Sequence, residues 1–308
     1  MAALVTRFAP SPTGPLHLGH AYAAILAHDM ALRDGGTFLL RIEDIDQSRA
    51  RPAWEAQIYD DLRWLGLWWP DPVLRQSQRQ DAYGAALDLL WRRGLLYPCT
   101  CTRRDITNAL SAPQEGVAMD GPDGPVYPGT CRGRDWPEFS YTFRSDFGRP
   151  THSALRLDMG QAAMIVTEHH ITGPDRSHRT IGFQEEGRSP AGQSGWIERG
   201  RQHLTGSIGD VVLSRPDMGT SYHLSVVVDD AAQGITHVTR GEDLFDATAV
   251  HVVLQRLLGL PTPVYHHHPL IRDPVGKRLA KRDDARALSR YRAEGATPAD
   301  IRRMVGLG

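Results

Sequence analysis

At 308 residues with a formal net charge of −1, the chain is long enough to bury a sizeable core in one large or two ordinary domains. The near-neutral charge excludes a protein that coats itself in nucleic acid, and no apolar run approaches the roughly 20 residues that span a bilayer. No signal-like segment opens the chain and its three cysteines form no even-numbered disulfide framework, so a cytoplasmic protein with no membrane partner is expected.

Leu4 to Phe8 is a short apolar run suited to a buried strand. The breaker-rich segment Pro10-Ser11-Pro12-Thr13-Gly14-Pro15-Leu16-His17-Leu18-Gly19-His20 follows. A helix is predicted from about Leu18, with Ala21, Ala24, Ile25 and Leu32 near helical spacing and Gly35-Gly36 as its stop. Thr37 to Ile42 reads as a second strand, completing a βαβ unit and so a parallel sheet. The turn from strand to helix is where free N–H groups and the helix dipole favour an anion. Gly14 and Gly19 let the backbone approach phosphates there, and His17 and His20 can donate to them.

Two amphipathic helices come next. Pro52 suits a first helical position, with Trp54, Ile58, Leu62 and Leu65 on one face. Ser77 and Gln80 fit a capping box ahead of Tyr83, Leu87, Leu90 and Trp91, with Gly94 at the end. Cys99 and Cys101, with Cys131 after an Asp/Gly/Pro-rich stretch, can clamp Zn²⁺. Three thiolates need a fourth ligand; Tyr127, His152, His169 and His170 are the candidates.

Residues from about 133 to 203 read as an inserted subdomain with exposed loops, Leu155 to Leu157 being a strand-like run. Asp210 to Arg215 restores a pattern, Val226 to Val228 reads as a buried strand of the same sheet, and Gly234 to Thr239 as another. A helix carrying Val250, Val253, Leu254 and Leu257 follows. From Ile271 to Gly308 there are ten Lys or Arg against five Asp or Glu, a patch that attracts phosphate locally. Within it Gly276-Lys277-Arg278-Leu279-Ala280-Lys281-Arg282 reads as a mobile basic loop.

Together these segments resemble the glutamyl/glutaminyl branch of the class I aminoacyl-tRNA synthetases. Pro10 to His20 is similar to the HIGH signature and Arg278 to Arg282 to the KMSKS signature. Arg41 to Asp46, Gln76 to Arg79, Tyr222, Asp229-Asp230 and Arg240-Gly241-Glu242-Asp243 also match. The likeness covers roughly Leu4 to Cys131 and Asp210 to Met304. It implies an α/β fold: a Rossmann-type catalytic core with a parallel sheet, a zinc-bearing inserted subdomain and a short C-terminal helical KMSKS region. The corresponding boundaries are 1–95, 96–205, 206–258 and 259–308.

The resemblance implies ATP, with Mg²⁺ held chiefly by its phosphates, and L-glutamate as substrates. It assigns catalysis to His17, His20 and Lys281, and ATP binding to His17, Gly19, His20, His267 and Lys281. His267 belongs to the triplet His266-His267-His268, whose likeness is to a nucleotide-pocket wall and not to a metal site. Glutamate falls to Arg7, Phe8, Ala9, Pro10, Ser11, Glu43, Tyr222 and Arg240, and a structural zinc to Cys99, Cys101, Tyr127 and Cys131. The chemistry is self-consistent: Arg7 and Arg240 offer guanidinium forks for two carboxylates, and Glu43 an anion for the ammonium.

The chain departs from the signature at Arg278 and Ala280, the second of which lacks a hydroxyl donor and predicts weaker ATP handling. Gly308 lies 26 residues past Arg282, which predicts no anticodon-binding domain. Shortened members of the branch activate glutamate without tRNA and pass it to queuosine in the anticodon of tRNA(Asp). A truncated enzyme charging tRNA(Glu), and a catalytically silent nucleotide- or RNA-binding paralogue, are the alternatives. A monomer is expected.

Overall fold

Val5–Phe8 (β1) is buried from Thr6 onward and runs into the proline-broken loop before Leu18–Arg33 (α1). The computed structural model describes residues 3–110, 120–134, 148–168, 180–271 and 286–308. Thr37–Ile42 (β2) pairs with β1 in parallel from Val5↔Thr37 to Phe8↔Leu40, so α1 is the crossover of a βαβ unit. Pro52–Trp64 (α2), Leu74–Arg75 (β3) and Gln80–Arg92 (α3) follow, and β3 joins the far side of β2 in parallel.

The middle of the chain begins with Leu96–Cys99 (β4), Arg103–Leu110 (α4) and a small hairpin, Asp120–Gly121 (β5) with Gly124–Pro125 (β6). It continues through Ala154–Leu157 (β7), Met159–Glu168 (α5), Thr180–Glu185 (β8), Gly195–Gly200 (β9) and Val212–Ser214 (β10). Strands β10, β7 and β4 form an antiparallel sheet in that order. The last part comprises Tyr222–Ala232 (α6), His237–Gly241 (β11), Ala247–Leu258 (α7), Val264–His268 (β12), Leu288–Ala293 (α8) and Pro298–Val305 (α9).

Strand β11 is parallel to β12, and β12 to β8, with β9 antiparallel at the edge. The two halves of the sheet meet at β1: the Thr236 N–H donates to the Val5 carbonyl at 3.0 Å, and the Val5 N–H donates to Thr236 Oγ1 at 2.8 Å. One apolar core lies between α3, α5, α6, α7 and the strands they cover. A second joins α1, α2, β1 and β2 to Leu288, Ile301 and Val305 from the last two helices.

Four expectations change. Val226 to Val228 lies inside helix α6, not in a strand. Three apolar residues carry no period of their own, and this helix is buried on so many sides (His223 to Val227, Asp229, Asp230) that its polar positions do not repeat visibly. Ser77 does not cap α3, whose N-cap is Arg79; its hydroxyl and N–H instead donate to Asp44, at 2.6 and 2.8 Å. Strands β8 and β9, within the stretch read as exposed loops, extend the main sheet, and Ile181 and Phe183 of β8 are core residues. Leu32 of α1 is 44% exposed, whereas Ala21, Ala24 and Ile25 are buried as predicted.

Candidate active site

The carboxyl ends of β1 and β2 and the amino end of α1 converge on one face of the molecule. The loop between β1 and α1 is held from outside: its Pro10 carbonyl accepts from the Glu43 N–H and its Pro12 carbonyl from the Arg51 N–H, both at 3.0 Å. His17 is the N-cap of α1. Its Nδ1 accepts from the Gly19 N–H, and His20 Nδ1 accepts from the His17 N–H, each at 3.1 Å. Two imidazoles thus make the reciprocal cap that Ser and Glu usually make. Since each Nδ1 is an acceptor, the proton of each neutral ring sits on Nε2, a donor suited to phosphate oxygen. A Cβ at position 19 would lie 3.0 Å from His17 Cε1, so glycine there lets the capping imidazole pack closely.

The chain just past the second signature, at Ala287, returns to the first. Ala287 forms an isolated antiparallel bridge with His17, and the Leu288 N–H donates to the Leu16 carbonyl at 2.8 Å. Lys281 and the rest of Gly276 to Arg282 lie outside the described residues.

Beside this turn is a buried charge network. Asp230, on α6, accepts from Arg7 Nε at 2.9 Å and Arg7 Nη2 at 3.2 Å, and from Arg41 Nη1 at 2.7 Å. Arg41 reaches on to Glu43 at 3.1 Å, and Arg7 Nη1 donates to the Thr239 carbonyl at 3.2 Å. Burial opposes every charge here, but at Asp230 the Arg7 and Arg41 guanidiniums win and hold the carboxyl below its ordinary range. At Glu43 burial wins and the pKa rises, even with Arg41 and Arg7 pulling it down. Each Arg7 nitrogen already makes a bond, so the fork read as open for substrate is largely taken up by Asp230.

Arg240, at the end of β11, is different. Its Nε donates to His267 Nε2 at 3.1 Å, Nη1 to His251 Nδ1 at 2.9 Å, and Nη2 to Thr248 Oγ1. It is 7% exposed, and among the described residues every one of these partners is neutral. The nearest linked carboxylate is Glu185, one imidazole away, bonded to His267 Nδ1. Burial first, then the Arg240 charge, holds His251 well below its ordinary pKa. Tyr222, at the start of α6, has its pKa raised by burial and lies in the fields of Arg240, Glu43, Arg7 and Asp230 together. Ser11, Glu43 and Tyr222 line a cleft of about 1120 Å³ that continues to Cys99, Cys101 and Tyr127.

The other predicted residues fall around this centre without entering it equally. Phe8 is buried, with its ring 6.5 Å from His20, and Ala9 and Pro10 form the loop that follows. His267, read as part of a nucleotide-pocket wall, is 1% exposed, and its ring nitrogens meet Glu185 and Arg240. Sequence reading gave no role to Arg41, Asp230, Thr248, His251 or Glu185. Asp229-Asp230 stood in a matching motif, but nothing in a linear chain signals which guanidinium a carboxylate will meet.

Cys99, Cys101 and Cys131 bring their Sγ atoms within 4.8 Å of one another, with Cys101 and Cys131 at 3.4 Å. Tyr127 Oη lies 3.5 Å from Cys99 Sγ and 3.4 Å from Cys101 Sγ, and accepts from the Cys131 N–H at 2.9 Å. A tetrahedral Zn²⁺ with Zn–S of about 2.3 Å separates its sulfurs by about 3.8 Å, so this donor set fits the ion. The Arg156 guanidinium stands 3.8 Å over the Tyr127 ring and donates to Cys99 Sγ at 3.3 Å, a cation placed to offset thiolate charge. His152 is exposed and outside this group, and His169 and His170 lie outside the described residues.

A family profile described as tRNA synthetases class I (E and Q), catalytic domain, matches residues 3–126 and 195–307. The chain belongs to the class I tRNA synthetases of the E and Q branch. It is therefore a ligase with that family's catalytic fold. A glutamyl-Q tRNA(Asp) synthetase of Rhodobacter capsulatus is 64% identical over 99% of this chain and 100% of its own length. One of the same name from Symbiobacterium thermophilum is 41% identical over 97% of this chain and 84% of its own. Among solved structures, a glutamate tRNA ligase from Elizabethkingia meningosepticum in complex with its amino acid superposes with a TM-score of 0.69 at 26% identity. That alignment covers 99% of this class I synthetase but 61% of the longer ligase. A methionyl-tRNA synthetase from Mycobacterium tuberculosis, at 13% identity and a TM-score of 0.57, shares the fold alone. Among the described residues no helix is long and apolar enough to cross a membrane.

Proposed function

We propose that this chain activates L-glutamate with ATP in the absence of tRNA and then transfers the glutamyl group to queuosine in the anticodon of tRNA(Asp). The names of relatives matched over nearly the whole of this chain support that acceptor. The observation that carries glutamate is Arg240, a buried guanidinium whose bonding partners among the described residues are neutral. One N–H on each of its terminal nitrogens remains for a carboxylate. Among the described residues its charge meets no contact anion until an acidic side chain arrives, and an amide in that place leaves the guanidinium facing an NH₂ group.

In this reading the glutamate α-carboxylate attacks the α-phosphorus of ATP in line. A new O–P bond forms as the bond to the bridging oxygen breaks, and pyrophosphate leaves. The Nε2–H groups of His17 and His20 donate to the phosphates, and Gly19 keeps the backbone close. Mg²⁺ accompanies ATP and neutralises phosphate charge. Lys281 takes the developing charge on pyrophosphate. Glu43, its pKa raised by burial, accepts the substrate ammonium, whose charge favours the carboxylate form. Ser11 and Tyr222 complete the wall, and Arg7 keeps Asp230 neutralised. The enzyme works as a cytoplasmic monomer.

The test is glutamate-dependent exchange of pyrophosphate into ATP. Exchange without added RNA is the expected result. Exchange only with tRNA(Glu) would make the chain a truncated charging enzyme, and none at all with intact ATP binding would make it a silent paralogue.

The thiol cluster would hold a structural zinc through Cys99, Cys101, Cys131 and Tyr127, a closed set with no open position for chemistry. Cys131→Ser is expected to take zinc content from about one ion per chain to near zero. Elemental analysis of the purified protein checks this; unchanged stoichiometric metal would refute the ligand set.

A further inference from the structure

Arg240 does not stand alone. His251 Nδ1 accepts from Arg240 Nη1 at 2.9 Å, His251 Nε2 meets His223 Nδ1 at 3.1 Å, and His223 Nε2 meets both oxygens of Asp123 at 3.0 Å. The proton positions follow from the ends. A guanidinium can only donate, so His251 Nδ1 is an acceptor and its Nε2 carries the proton. That proton goes to His223 Nδ1, so His223 also carries its own on Nε2 and donates it to the Asp123 carboxylate. Every member is satisfied with both rings neutral, and the two imidazoles are 2% and 4% exposed. Asp123 sits in the β5–β6 turn, between the cysteines of the thiol cluster in sequence, and lines the same cleft as Glu43 and Tyr222.

We propose that His251, His223 and Asp123 form a positioning relay by which the hairpin of the thiol-bearing segment sets the orientation of the Arg240 guanidinium, and with it the grip on the substrate side-chain carboxylate. This rests on Arg240 as the glutamate-recognising group. A fork binds a carboxylate well only when its plane is held, and Thr248 and His267 hold two of its three nitrogens. The third is held from a different part of the chain, through a path of three hydrogen bonds. Seating of the hairpin thereby becomes a condition for amino-acid recognition, and ATP contacts are untouched.

The experiment titrates L-glutamate into the full-length protein by calorimetry and measures exchange kinetics in parallel. Asp123→Ala is expected to weaken glutamate binding about fivefold to tenfold, the size of one lost hydrogen bond. KM for ATP and kcat at saturating glutamate should stay within about twofold, as should zinc content. Asp123→Asn, whose side-chain oxygen still accepts from His223, should restore binding. His223→Phe should match Asp123→Ala, and the double variant should be no worse than either single one. A change below about twofold for both single variants, or additive effects in the double one, overturns the relay. Arg240→Lys separates the two claims. If it weakens glutamate binding while Asp123→Ala does not, only the relay falls. If it leaves binding intact, the reading of Arg240 falls and takes the relay with it.

Discussion

Arg240→Met is expected to lower kcat/KM for glutamate in pyrophosphate exchange by about 10²–10³, with KM for ATP nearly unchanged. The magnitude follows from what is removed: charge-assisted hydrogen bonds to a buried carboxylate, each worth roughly 1.5–3 kcal/mol. The usual discount for a surface ion pair does not apply, because the side chain is 7% exposed and its partners among the described residues are neutral. The substitution also strips a donor from His251, His267 and Thr248 at once. His251, whose pKa is held down by burial and then by the Arg240 charge, would lose the second of these restraints. Methionine has about the same volume, so lost packing adds little to the effect. A loss smaller than about tenfold, or an equal loss for ATP, would show that the carboxylate is bound elsewhere.

Asp230→Asn is expected to cost about 3–5 kcal/mol of stability, because two buried guanidiniums lose their shared counter-charge. Arg41 is fully buried and Arg7 nearly so, and neither can turn to water to compensate. Burial alone would lower the pKa of Arg41; Asp230, Glu43 and Asp229 together raise it. The midpoint of urea unfolding near neutral pH measures the loss, and a shift of less than about 1 kcal/mol would contradict it. The pH dependence has a definite sign. Asp230 has a folded pKa below its unfolded value, so its stabilisation is complete above that unfolded value and is lost as pH falls through the folded one. Wild type should therefore lose stability below about pH 4 more steeply than Asp230→Asn, in which this carboxylate is absent.

Local features of the fold could be read ahead of the coordinates wherever a residue's role is decided by its neighbours in the chain. The first βαβ unit is of this kind: a short apolar run, a breaker-rich turn, small residues at helical spacing and a glycine stop agree on one answer. The thiol cluster was legible too, since the spacing along an Asp/Gly/Pro-rich stretch permits the approach that the structure contains. What escaped is settled by contacts distant in sequence. Val226 to Val228 is three residues long, and only the packing of α6 against its neighbours makes it helical. Ser77 has a better partner in Asp44 than in the helix it precedes. Arg7 and Arg240 look alike on paper, yet one meets Asp230 and the other meets two imidazoles and a hydroxyl. That difference decides which of them has charge to spare.

The core around β1, β2 and α1 is completed by Leu288, Ile301 and Val305, and α9 is tied back to α1 by a bidentate Arg302–Asp29 pair at 2.7 and 3.0 Å. During synthesis these three side chains leave the ribosome long after Phe8 and Ile25 have done so. The first βαβ unit is thus made well before it is sealed, and its apolar surface waits for the residues that cover it. Domains that emerge first usually fold first; here the order of manufacture and the order of completion are opposed. The nascent chain must therefore keep this segment from aggregating until Leu288, Ile301 and Val305 arrive.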